Sequence, residues 1–266
     1  MDRLRVIFAN VVCGMKYYGE VDDRSVFQKY WPSDYVETYS ALKPDVLCLA
    51  EAPFDTEDGR GVFVEKMSEA LGAQATRTLV DGKSWLVEGK YTGTAIFSKL
   101  SEVGYSVVPL PPANTRDVHH GEERVLHDKA VQILGLRIGA QIMKVLNVHY
   151  YPFSAFGRPT LGDDLRETHI ATSQVLSSTL GQPTIVTGDF NNSDEPDITK
   201  VFPELFVDGR FRQAIKFSPA DEPGYKKPVQ IDQILYSPEF FKPVSTQVVS
   251  DNSDHGGIMV DFQIAR

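Results

Sequence analysis

Polar residues with catalytic side chains recur where apolar runs of this 266-residue chain end. Asn10 ends LRVIFAN, Glu51 ends PDVLCLAE and His149 ends IMKVLNVH; Asp189 and Asn191 lie in TIVTGDFNN, Asp232 in VQIDQILYS, and Asp254 with His255 in NSDHGGIMVDF. Each run is short and rich in β-branched residues, as buried strands are. A buried strand has no use for a carboxylate, so acids and imidazoles at strand exits point to a site. The set offers carboxylates, amides and imidazoles with no cysteine among them, which is the donor chemistry of a hard cation and of phosphoryl oxygens.

Spacing adds roles. In Asp189-Phe190-Asn191 the strand period of two sends Phe190 away and puts Asp189 and Asn191 on one side. A carboxylate that takes a proton from water and an amide that donates to a phosphate form a working pair for in-line attack. Asp254 and His255 are adjacent, so in extended chain they need different partners.

The elements that must position these residues follow from periodicity. Strands are predicted over 4–10, 45–50, 74–80, 84–87, 93–98, 103–110, 129–138, 141–149, 184–188, 230–236, 244–249 and 257–264, with 129–149 a hairpin through Gly139. Helices are predicted over 32–43 with Ser33 as N-cap, over 61–71 stopped by Gly72, and over 160–180, with Ile170, Val175, Leu176 and Leu180 inward and Gly181 ending it. No repeat or change of composition divides the chain. An α/β or α+β layered sandwich forming one domain over 1–266 is expected.

In this order the motifs resemble those of the endonuclease/exonuclease/phosphatase superfamily: a strand-end Asn, a strand-end Glu, a His-containing strand, GDxN, ID-x-I/F and a terminal SDH. The first two depart from the usual neighbours, reading FANVV and LAE, but keep the functional residue. The resemblance implies a DNase I-like four-layer arrangement, two packed mixed β-sheets flanked by helices. It implies Mg²⁺, with Mn²⁺ possible, bound chiefly by Glu51, with Asn10 beside it and Asp254 facing it. It further implies Asp189 as the base, Asn191 orienting water or phosphate, and His255 on the scissile phosphate, oriented by Asp232. His149 is expected on a phosphate oxygen, with Tyr150 beside it in HYYP, and Arg166 near the substrate.

The substrate is expected to be phosphorylated: a small molecule, a lipid headgroup or a nucleic acid. A net charge of −9 weighs against a grip on long polyanions, so a DNA endonuclease or exonuclease is the alternative, and a catalytically silent binding module a second one. The aromatic stretch 150–160 is read as a surface that stacks on a base or borders a lipid, or as a cap on the core. The stretch 111–129, with Arg116, Arg124, Lys129 and three histidines, is read as a solvated mixed-charge loop. No apolar run reaches the 18 or so residues of a membrane span, and the first residues read as a strand rather than a signal peptide. Cys13 and Cys48 read as buried free thiols in a reducing compartment, so a cytoplasmic location is expected; the protein is also expected to be a monomer.

Overall fold

In a computed structural model of the chain, residues 2–17, 27–119, 122–216, 223–227 and 229–265 are described. Two six-stranded sheets dominate. The first runs, in spatial order, Phe241–Val249, Gly257–Ile264, Arg3–Asn10, Val46–Phe54, Tyr91–Ser98 and Ala75–Lys83. The second runs Arg212–Gln213, Asp232–Tyr236, Thr184–Asp189, Gln141–His149, Ala130–Ile138 and Glu102–Pro109. Each sheet has one parallel pair at its centre, Arg3–Asn10 with Val46–Phe54 and Gln141–His149 with Thr184–Asp189; every other pairing is antiparallel.

Strand alternation builds the layers. Val6, Phe8, Val46 and Cys48 join Val145, Ile185 and Ile234 in the apolar cluster between the sheets. Their alternates Ile7, Ala9, Leu47 and Leu49 face the helices Pro32–Ala41 and Val62–Leu71 through Tyr35, Tyr39, Phe63 and Met67. Leu146, Val148 and Val186 turn to the other outside, where the helix Arg166–Ser177 packs through Leu176. Helices, sheet, sheet and helix make the expected four layers. Cys13 and Cys48 are buried free thiols, as expected.

Some expectations need correction. Residues 84–87 are not a strand, because the Ser84 hydroxyl accepts the Leu86 and Val87 N–H groups at 3.1 and 3.0 Å and folds the chain into a turn. The first helix starts at Pro32, which suits a first helical position, with Trp31 rather than Ser33 before it. The third helix is shorter than 160–180, and the residues it buries are His169, Thr172, Ser173 and Leu176; Ile170 is only half-buried. Among the described residues no helix is long and apolar enough to cross a membrane.

Candidate active site

Strands of a parallel pair end on the same side, so both sheets deliver their C-terminal ends to one edge. Asn10 ends one strand of the first pair, and Glu51 lies near the end of the other. His149 and Asp189 end the strands of the second pair and are direct register partners. Asp232 opens the antiparallel neighbour opposite Asp189, and Asp254 and His255 lie one residue before Gly257–Ile264.

Glu51 occupies a bulge. The register slips between Leu49 and Ala52, and Glu51 takes the left-handed conformation at φ 50°. The neighbouring strand Ala75–Lys83 slips between Val80 and Gly82, which puts Asp81 in a second bulge. Gly93 pairs with both Ala52 and Val80 at these slips, and a Cβ on it would sit 2.0 Å from the Leu79 carbonyl oxygen, so only glycine fits. Beneath the site the Asn147 amide crosses between the sheets and donates to the carbonyls of Leu49 and Ala95 at 3.0 and 3.3 Å. Thr187 donates to Asn147 Oδ1 at 3.1 Å, so the floor under Glu51 is tied to both sheets.

Asn10 clasps the two carboxylates. Its Nδ2 donates to Glu51 Oε1 and to Asp189 Oδ2, each at 3.0 Å. Its Oδ1 accepts the Val12 N–H at 3.0 Å, which fixes the amide orientation. Asn10, expected beside a metal, thus also acts as a clamp between the two carboxylates. Asp189 is buried, and its Oδ1 accepts the Asn191 N–H at 2.8 Å. Asn191 has φ 50°, and one N–H of its side chain donates to the Tyr150 carbonyl at 2.8 Å.

His255 Nδ1 lies 2.9 Å from Asp232 Oδ2, and Nε2 lies 3.7 Å from Asp254 Oδ1. Burial alone would discharge the ring, but the Asp232 and Asp254 carboxylates override it and raise its pKa to about 10. Burial lifts Asp232 to about 6 against the pull of His255, so at neutral pH the proton rests on the imidazole. Asp254 forms an ion pair with Lys227, a partner the sequence did not point to, and its Oδ1 has no hydrogen-bond partner among the described residues.

His149 belongs to a network that sequence reasoning missed. Lys129 Nζ pairs with Asp81 Oδ2 at 2.5 Å and contacts His149 Nδ1 at 3.2 Å. An ammonium only donates, so His149 Nδ1 accepts and Nε2 carries the proton, 3.8 Å from Glu51 Oε1. Lys129, assigned above to a solvated loop, is buried. Its signal was a lone cation directly before the run AVQILGLRI; Asp81, after the run TRTLV, had the same strand-end signature as Glu51.

Tyr150 and Arg166 lie away from this cluster. Tyr150 is adjacent to His149 in extended chain and so faces the opposite side of the sheet, where its hydroxyl meets His169 Nδ1 at 2.8 Å. Arg166 opens the outer helix and lines a separate pocket with Leu161, His169 and Glu204. Tyr151 and Phe153 are core, so most of the aromatic stretch caps the second sheet. Of the histidine pair, His120 lies outside the described residues.

Glu51, His149, Asn191, Lys227, Asp254 and His255 line a single cleft of about 290 Å³. The donor set suits a hard divalent cation. Carboxylate oxygens of Glu51 and Asp189 lie within 4.8 Å of each other, with His149 beside them. Charge agrees: the carboxylates of Glu51, Asp81, Asp189, Asp232 and Asp254 outnumber Lys129, Lys227 and the His255 imidazolium by two.

The profile of the Endonuclease/Exonuclease/phosphatase family matches residues 29–255. The chain belongs to that family. Endonuclease/Exonuclease/phosphatase proteins are hydrolases of phosphoester bonds and generally depend on a divalent metal, so this chain is a metal-dependent phosphoesterase. Among similar solved structures is an endonuclease/exonuclease/phosphatase from Beutenbergia cavernae DSM 12333, with 17% identity over 100% of this chain and 72% of that one, at TM-score 0.72. The human Nocturnin catalytic domain with bound sulfate anion is 18% identical over 99% and 94%, at TM-score 0.68. A mannosyl-6-phosphatase from Bacteroides thetaiotaomicron VPI-5482 is 17% identical over 97% and 99%, at TM-score 0.62. At these identities the likeness is one of fold. No curated protein matches the sequence.

Proposed function

We propose that the protein hydrolyses a small phosphoester with Mg²⁺ bound chiefly by Glu51, Mn²⁺ serving as a substitute, through in-line attack of a water activated by Asp189. The observation that carries the reading is the clamp of Asn10 on Glu51 and Asp189, which joins the ends of both sheets at the floor of one cleft. The cation, when bound, would supply positive charge for the phosphoryl oxygens.

The remaining steps belong to the chain. Asp189, held by the Asn10 and Asn191 N–H groups, takes the proton of the attacking water. Asn191 has a second side-chain N–H to orient that water or a phosphate oxygen. His255 as imidazolium and His149 through its Nε2–H donate to oxygens on which charge develops, and Lys227 adds a cation at the cleft. Asp232 meets His255 Nδ1 at 2.9 Å and so positions the ring. A cleft of about 290 Å³ and a net charge of −9 favour a small substrate over duplex DNA.

The direct test is purified protein with Mg²⁺ or Mn²⁺ against bis-p-nitrophenyl phosphate, p-nitrophenyl phosphate, supercoiled plasmid and an abasic oligonucleotide. Cleavage of a small ester is expected to outpace that of both DNAs. Plasmid nicking as the fastest reaction would sink the small-substrate reading. In the same assay Asp232→Ala should lower kcat roughly 10- to 100-fold with the metal concentration for half-maximal rate unchanged. A loss of metal affinity with turnover intact would show that Asp232 serves the ion instead.

A further inference from the structure

Part of the cleft wall is apolar and aromatic: Trp85, Leu126, His127 and Pro152 line it, and the mechanism above does not use them. Trp85 is 38% exposed, an unusual placement for an indole. The His127 ring stacks on it at 5.1 Å between centroids and 29° between planes, and Phe156 closes against it at 5.9 Å and 49°.

The wall is built rather than incidental. The turn that presents Trp85 is pinned through Ser84, whose hydroxyl accepts two backbone N–H groups and donates to Cys13 Sγ at 3.2 Å, beside the cleft. His127 Nε2–H donates to the Lys83 carbonyl at 3.1 Å. A Cβ on Gly82 would sit 2.6 Å from that ring, so glycine makes room for it. Burial lowers the His127 pKa, which leaves the ring neutral at pH 7. Trp85 and His127 therefore offer a stacked, aromatic and uncharged surface.

We propose that this wall seats a nucleobase, and that the substrate is a nucleotide-sized phosphoester whose phosphate lies among His149, Asn191, Lys227 and His255. Only the phosphate's placement rests on the hydrolase reading. A bare sugar phosphate needs partners for its hydroxyls, which Leu126 and Pro152 do not offer. A base needs one π-face, and stacking on an aromatic side chain supplies it.

The test uses the full chain with Mg²⁺ in a Trp31→Phe background, which leaves Trp85 as the one fluorescent indole of the protein's two. AMP should quench its emission, and ribose 5-phosphate should compete about tenfold more weakly. Trp85→Ala, followed by calorimetry, should weaken AMP about tenfold and leave ribose 5-phosphate unchanged; Trp85→Leu, which keeps apolar bulk, should do the same if the alanine variant misfolds. Ribose 5-phosphate or glycerophosphocholine binding as tightly as AMP overturns the proposal, as does a Trp85 variant with undiminished AMP affinity. AMP binding of the expected kind without cleavage of any ester under any metal would uphold the base site and overturn the hydrolase reading alone.

Discussion

Asp189→Asn is expected to lower kcat about 10²- to 10⁴-fold even at saturating Mg²⁺, the range that removal of a general base produces. The exchange preserves shape, and an amide oxygen can still accept the Asn191 N–H that Asp189 Oδ1 accepts at 2.8 Å. What disappears is the negative oxygen facing Asn10 and the capacity to take a proton. Folding should therefore survive while the chemical step fails, and single-turnover kinetics with the metal titrated to saturation separates the two. A loss of less than tenfold would mean that water is activated by another group.

Lys129→Met is expected to destabilise the protein by about 3–5 kcal/mol, the cost of leaving one member of a buried ion pair alone. Lys129 and Asp81 side chains are 5% and 3% exposed, so solvent cannot take over for the missing charge. Burial pushes Asp81 up, but the charge and hydrogen bond of Lys129 oppose it and hold the carboxyl below its ordinary range. The sign follows: the pair's stabilisation is present above the unfolded carboxylate pKa of about 4 and is lost as pH falls through the lower folded value. Urea denaturation at pH 7 measures the effect. The double variant with Asp81→Asn should recover much of the loss, because no charge is then buried alone. A single variant within 0.5 kcal/mol of the wild type, on the order of an ordinary surface change, would show that the pair is not what holds this corner.

The residues legible in the sequence were those whose burial contradicts their chemistry over a short stretch. Glu51, His149 and Asp189 each follow a run that can only be a buried strand, and strand ends converge wherever parallel pairs sit side by side. Asp232 and His255 were legible together through their motifs, and the structure places their side chains in contact. Tyr150 was misplaced although the alternation applied to Phe190 would have sent it to the outer face. Asp81 and Lys129 were missed because a charge's partner, 48 positions away in sequence, is visible only in three dimensions. Trp85 was hidden by a pattern, Ser-Trp-Leu-Val, that reads as a strand until the Ser84 hydroxyl captures the backbone. Lys227 as the partner of Asp254 had no local signal at all.

A metal titration with Glu51→Gln bears most directly on the central claim, that this cleft is a divalent-metal phosphoesterase site. Glu51 is the carboxylate that both lines the cleft and reaches the Asn10 clamp, and Mg²⁺ with few protein ligands keeps several waters and binds weakly. EDTA should abolish ester hydrolysis by the wild-type protein, and added Mg²⁺ or Mn²⁺ should restore it without a refolding step. Glu51→Gln should need roughly tenfold or more additional metal for its own half-maximal rate, because the ion loses one anionic ligand. Hydrolysis that continues undiminished in EDTA, or a Glu51→Gln enzyme with an unaltered metal requirement, would contradict the assignment.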